Sequence, residues 1–368
     1  MFKTVRDIVR IPDLRRRILY TLMMLALVRL GSLIPSPLMD AAVVKSYFAS
    51  AGGVMALFDI MSGSAFSQMN LFAMGIQPYI NASIIINLLT VAIPKLEEIQ
   101  KDGEAGRKKI QQYTRVVTLV LALVQSFGIS YGLRSGFTSD LGVAWSIIVS
   151  MAVFTAGSMF VMWIGENITE KGIGNGISLL IVIGIVSRGP AAIQSMKAMV
   201  ETGGGLNINA IATIVAILVI AILAVACVVL FNNAERRIPV QYAKRVVGRK
   251  MYGGQSTHIP IKVNMSGVLP VIFASSILSL PPTIEMFIEG KLTEDSFWHT
   301  FFGWFKADHW VYGIIYFLLI IFFAYFYSSI QYNPVDMANN LAKNSGMIPG
   351  IRSGKPTAEH IANAKPME

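Results

Sequence analysis

From Ile60 to Pro94 the chain carries no charged residue. The length of that run fits no simple element. One membrane helix needs about 20 residues, and two full spans with a turn between them need more than this run supplies. Extended back to Ser46, the stretch gains a single charge, Asp59. Its two halves differ. Residues 50–67 are rich in small side chains (Gly52, Gly53, Ser62, Gly63, Ser64, Ser67), whereas Leu71 to Ile93 is apolar enough to span. The pattern predicts a short, half-inserted segment followed by a full helix. Irregular backbone at membrane depth survives only where protein buries it or where it lines a wet cavity. The stretch therefore predicts a cavity.

The rest of the chain supports a membrane setting. It is 54% hydrophobic and 14% charged, against roughly 25% charged in soluble domains. Eight spans are expected, at 18–33, 71–93, 116–133, 141–165, 174–192, 210–231, 263–284 and 310–330. The formal net charge of +10 would suggest nucleic acid in a soluble protein. Here it reads as loop bias, and no specific nucleic-acid binding is expected. With the N-terminus inside, 24 of the 31 lysines and arginines fall in cytoplasmic segments, which fixes the orientation. Residues 1–17 carry Lys3, Arg6, Arg10 and Arg15 to Arg17, with Phe2, Val5, Ile8, Val9 and Ile11 near helical spacing. They predict an interfacial helix on an anionic leaflet. Pro12–Asp13 ends it and restarts the chain. Cys227 is the single cysteine and can form no internal disulfide.

The cytoplasmic segments differ in character. Pro94 to Arg115 mixes signs and reads as a solvated connection. In 235–262, RRIPVQYA and STHIPIKV alternate like strands around the tip VVGRKMYGG, which makes a basic hairpin. It is either a polar loop that sets topology or a docking surface. The tail, 333–368, holds a Gly/Pro-rich loop, GMIPGIRSGKPT.

Enzymatic signatures fail on inspection. GIRSGKP has three residues between its glycines where a phosphate loop needs four, and Pro356 stands where a magnesium-binding hydroxyl is required. Gly172, Gly174 and Gly176 follow no strand; they suit a sharp turn into a helix capped by Asn175. The four histidines lack ligand spacing. No catalytic set, cofactor or metal is expected. The span centres also lack the charges that ion-coupled transport uses. They hold instead Gln77, Asn81, Ser83, Asn87 and Thr90 on span two, and Asn264, Ser266, Ser275 and Ser276 on span seven. Such groups either bond between helices or line a wall that is sometimes wet. Ile80 and Ile84, like Ile177 and Ile181, lie four apart on one helix face. They are packing residues or a constriction that seals by dewetting.

Five separated motifs carry a resemblance: GIQPYINASIII, EAGRKKIQQYTR, TEKGIGNGISLLI, RRIPVQYAKR with STHIPIKVNMSGVLPVIFASS, and NPVDMANNL with GMIPGIR. Over about Thr4 to Ile361 the chain resembles the SecY family of pore-forming subunits of the bacterial protein-conducting channel. The resemblance implies an all-α polytopic membrane protein, an inverted-repeat helix bundle with a plug helix and a cytoplasmic β-hairpin. It implies a first half at 18–200 and an incomplete second half at 201–332, eight of the family's ten spans. The expectation is thus a C-terminally truncated member that lacks spans nine and ten. Residues 53–67 become the plug (Gly53, Phe58, Asp59, Ser62, Gly63). Ile80, Ile84, Ile177, Ile181 and Ile272 become the pore ring. Ser83, Asn87 and Asn264 fall in the lateral gate. Arg245, Arg249, Lys250 and Arg352 become docking residues for the SecA motor ATPase or the ribosome. SecE and SecG, membrane lipids and secretory or membrane precursor polypeptides are the other implied partners, in the plasma membrane. Two further readings stand beside this one, a non-conducting docking scaffold and a secondary transporter.

Overall fold

The computed structural model describes residues 11–36, 38–40, 59, 62–65, 67–138, 142–201, 208–242, 245–247, 250–252, 256–264, 266–278, 280–281, 284, 297–305, 309–331, 334–343, 346–352 and 354–363. The chain divides into two compact units, residues 1–195 with 275–316 and residues 196–274 with 317–368.

The first unit is a helix bundle. It contains α1 (Pro12–Gly31), α2 (Gln77–Ala92), α3 (Pro94–Lys101), α4 (Gly103–Gly132), α5 (Val143–Lys171), α6 (Gly176–Ser187) and most of α7 (Gly189–Glu201). Helices long and apolar enough to cross a membrane lie at Gly103–Gly132, Val143–Lys171, Gly176–Ala198, Ile211–Asn233 and Trp310–Ser328. They correspond to expected spans three, four, five, six and eight. Span one is the helix α1, which starts at Pro12 and carries Asp13, Arg15, Arg16, Arg17 and Arg29. Those charges keep it out of that set.

Span two departs from its expected form. The helix begins at Gln77, not Leu71, because Gly75 turns left-handed (φ +52°) and Pro78 sits in the first turn. Proline presets a helix start and lacks the amide that would continue a preceding one. At its other end α2 breaks at Ile93, and α3 leaves at 108°. The segment Pro94 to Arg115 is mostly exposed, as a solvated connection should be, but it is helical. It forms α3 and the first turns of α4. The mixed charges fall at helical spacing, as in the Glu104–Lys108 pair.

Two apolar clusters hold this unit. One joins Met69, Ala73 and Met74 to Ala122, Ile129, Leu133 and Phe154. The other joins Phe72 to Val161, Ile164, Ile168 and Leu180. Lipid gives helices no hydrophobic drive to associate, so close packing of small residues must do it. Gly157 lets α5 approach the Leu71 carbonyl, and Gly176 sits on the Gly165 carbonyl; a Cβ at either position would overlap.

The second unit contains α8 (Ile208–Asn233), most of α9 (Leu269–Leu278), most of α11 (Trp310–Gln331) and a cytoplasmic body. A short helix, α10 (Phe297–Gly303), belongs to the first unit. The expected hairpin is present. β1 (Glu235–Tyr242) pairs antiparallel with β4 (Ser256–Lys262), in register from Glu235 opposite Lys262 to Gln241 opposite Ser256. At the tip, β2 (Arg245–Val247) pairs with β3 (Lys250–Tyr252). The tail is more than a loop. Its β5 (Gly346–Met347) adds a third strand to β1, flanked by α12 (Pro334–Lys343) and α13 (Lys355–Asn363). Ile238, Val240 and Ile261 of the hairpin pack with Leu341, Ile348 and Ile361 of the tail. Two distant segments thus form one body around a shared core.

Ile361 is fully buried in that core. Ile361→Ala should cost about 2–5 kcal/mol locally. Hydrogen exchange of the β1 amides should therefore quicken roughly 30-fold or more, measured on the detergent-solubilised chain.

Candidate functional site

The site is assembled from the turn that precedes α2. Residues 69–76 form turns docked on the end of α1. The Ser36 amide donates to the Met69 carbonyl (2.9 Å), the Leu71 amide donates to the Ile34 carbonyl (3.0 Å), and the Asn70 side chain donates to the Ser32 carbonyl. This clamp sets where α2 begins. Ile80 and Ile84 follow on its buried face, 7% and 4% exposed. Asn81 lies beside them, equally buried, and neither atom of its amide has a protein hydrogen-bond partner. Ser83 is half-buried and Asn87 exposed; the Thr90 hydroxyl donates to the Asn87 carbonyl (2.7 Å).

A second wall comes from α6. Its entry turn uses Gly174 at φ +72°, and the Asn175 side chain accepts from the amides of Ile177 and Ser178, the expected cap. The Gly176 amide donates to the Thr169 hydroxyl (2.9 Å). Ile177 and Ile181 are half-buried, and Ile177 faces Gly165 of α5 together with Leu180 and Ile76. Ile80, Ile84, Ile177 and Ile181 thus share one unit on two helices. Ile272 lies on α9 in the other unit, half-buried.

Of the expected plug residues, Gly53 and Phe58 lie outside the described residues. Asp59 is buried, with its carboxylate Oδ2 3.0 Å from Arg188 Nη2. Its Oδ1 accepts from the Ser67 amide (2.8 Å). Gly63, at φ +68°, sits against the Arg29 guanidinium, the Ser187 hydroxyl and the Gly184 carbonyl. Asn264 donates to the Asn232 side chain at the end of α8 (3.1 Å) and accepts from the Gly267 amide. Arg245 and Lys250 fall in β2 and β3 and Arg249 lies outside the described residues. Arg352 is exposed between Gly350 and Gly354, both left-handed, and its carbonyl accepts from Thr357. Among the described residues no group of three or more His, Cys, Asp or Glu side chains could hold a metal ion.

A SecY family model matches residues 70–366. The chain is 44% identical to the protein translocase subunit SecY of Streptomyces galbus, over 96% of this chain and 82% of that protein. It is likewise 44% identical to that of Corynebacterium glutamicum, over 95% and 81%. The chain belongs to the SecY family.

Solved structures give the same fold. One of a protein-conducting channel has a TM-score of 0.65 at 18% identity, covering 96% of this chain and 82% of that one. A second, a SecY whose plug domain stabilises the closed channel and maintains a membrane seal, scores 0.60 at 18% identity, covering 95% and 80%. The function is that of a protein-translocation channel subunit, a multi-pass membrane protein from a family of channels, not one known for enzymes.

Sequence reasoning missed the partners of its own charged residues. An acid alone in an apolar run must pair, which signalled a partner for Asp59 without saying which. Glu166 of α5 is a second case. It is buried and accepts from Arg115 (2.8 Å and 3.0 Å) and Gln111 (3.0 Å) of α4. It is fully engaged in joining α4 to α5, and is no free carboxylate for ion coupling. Glu166 is buried while the Arg115 side chain is 44% exposed, so loss of the arginine strands a buried charge. Arg115→Ala should destabilise the first unit by about 2–3 kcal/mol, and Arg115→Met with Glu166→Gln by less. Thermal unfolding in detergent measures both.

Proposed function

We propose that the chain conducts unfolded secretory polypeptides through a seal lined by Ile80, Ile84, Ile177, Ile181 and Ile272, and releases apolar segments sideways into lipid. The observation that carries this reading is α2 itself. It is a charge-free helix that buries two isoleucines four residues apart beside Asn81, an amide with no protein partner. A buried polar group without a partner calls for an explanation. A wall that must accept water and peptide groups when open supplies one. Cargo of every side-chain type rules out a tight or charged site, and soft aliphatic residues seal without selecting.

In this reading residues 53–67 are the plug, with Asp59, Ser62 and Gly63 at its docked end. Ser83, Asn87 and Asn264 lie along the lateral gate, and the Asn264–Asn232 bond steadies its cytoplasmic edge. The hairpin and tail offer Arg245, Arg249, Lys250 and Arg352 to a SecA-type motor or a ribosome, which supplies the driving energy. SecE and SecG complete the complex in the bacterial plasma membrane, with the basic N-terminal end of the chain on the cytoplasmic leaflet.

Cysteines at Ile80 and Ile181 should crosslink to a stalled precursor in the complex. Crosslinks confined to Arg249 and Arg352 would instead establish a docking scaffold. Replacing Ile80 and Ile84 together with Asn should raise resting ion leak severalfold in proteoliposomes; unchanged conductance would remove both from the ring.

A further inference from the structure

Asp59 is the only charge in the stretch 46–94, and its carboxylate serves two purposes at once. Oδ1 accepts from the Ser67 amide, while the Asp59 carbonyl accepts from the Ser64 amide (2.8 Å) and the Ser62 hydroxyl (3.1 Å). These bonds tie Ser62, Ser64 and Ser67 to Asp59. Oδ2 leaves the segment and meets Arg188 at 3.0 Å. Arg188 is the one-residue junction at which α6 passes into α7. Next to it, Ser187 donates to the Gly184 carbonyl (2.6 Å). Gly63 presses on that same helix end, where a Cβ would stand 2.7 Å from the Ser187 hydroxyl and 2.6 Å from the Arg29 guanidinium. Glycine is needed there twice over, for its left-handed backbone and for the space.

We infer that Asp59 and Arg188 form an ionic latch that holds the plug segment on the end of α6, and that the strength of this pair sets how readily the channel opens. The inference rests on the reading of residues 53–67 as the plug. A carboxylate left unpaired at this depth is costly, so the segment docks with Arg188 engaged or leaves into water. Half-docked positions strand a charge. The Asp59 side chain is 8% exposed and that of Arg188 36%. The arginine thus keeps access to solvent and can be hydrated when the pair parts, while the aspartate gains water only by departing. Asp59 and Arg188 are positioning residues, since neither need touch the cargo.

Ala65 is buried in the docked segment, 2% exposed, and serves as the reporter. In a Cys227→Ala background, Ala65→Cys should resist an aqueous maleimide in the resting complex. Asp59→Asn and Arg188→Gln should each raise its labelling rate, and the resting ion leak, by roughly tenfold. The double neutral variant should be no worse than either single one, because one interaction is lost in all three. The reversed pair, Asp59→Arg with Arg188→Asp, should recover most of the protection. Unchanged labelling in the single variants, or additive losses with no recovery in the reversed pair, would overturn the latch and leave the plug reading standing. Faster labelling with no rise in leak would overturn the plug reading itself, and the gating role of the pair with it.

Discussion

Lipid offers no hydrogen bonds, and that constraint governs the part of the chain around which the first unit is built. Residues 62–65 and 67–76 are mostly turns, yet they lie among helices long enough to cross a membrane. Their backbone is therefore tied down by protein: Ser36 with Met69, Leu71 with Ile34, Asn70 with Ser32, Ser67 with Asp59. The helices come close because glycines let them. α5 touches the Leu71 carbonyl only because residue 157 has no side chain. A segment satisfied by so many specific partners is held in one place, and α2 with its isoleucines inherits that placement.

The same constraint sorts the charges. Glu166 is buried with three donors around it, and Asp59 with an arginine and an amide. Each of these acids lies where its helix or turn meets another, so each fixes a junction. In the cytoplasm water is plentiful and the logic changes. There the hairpin and tail are joined by apolar residues, Val240 and Ile361 among them, in an ordinary small core.

Local signals were legible where local chemistry decides. The alternation in 235–242 and 256–262 gave strands, Asn175 followed by a helix start gave a cap, and unbroken apolar runs gave most of the spans. The start of α2 at Gln77 was harder to see. Leu71 to Ile76 is as apolar as α2 itself, and only the left-handed turn at Gly75 and the proline at 78 separate the two. The helical form of 94–115 was hidden because a charged surface helix and a charged loop share a composition. The third strand and the Asp59–Arg188 pair join residues more than a hundred positions apart, and nothing in a local window reports such distance. The isoleucines show the limit from the other side. Their spacing was visible, but packing and sealing residues look alike until a neighbour is known, as Gly165 is for Ile177.

The third strand has a consequence for topology. β1 and β5 belong to one sheet, so both ends of the intervening chain must lie on the same side of the membrane. Residues 243–345 must then cross an even number of times. α11 supplies one crossing by its length, and parity demands another between Lys262 and Trp310, where α9 lies. The sheet is in effect a checksum on insertion. It can close only if both passages were made, and a chain that missed one would leave Gly346 and Met347 on the far side with no strand to join.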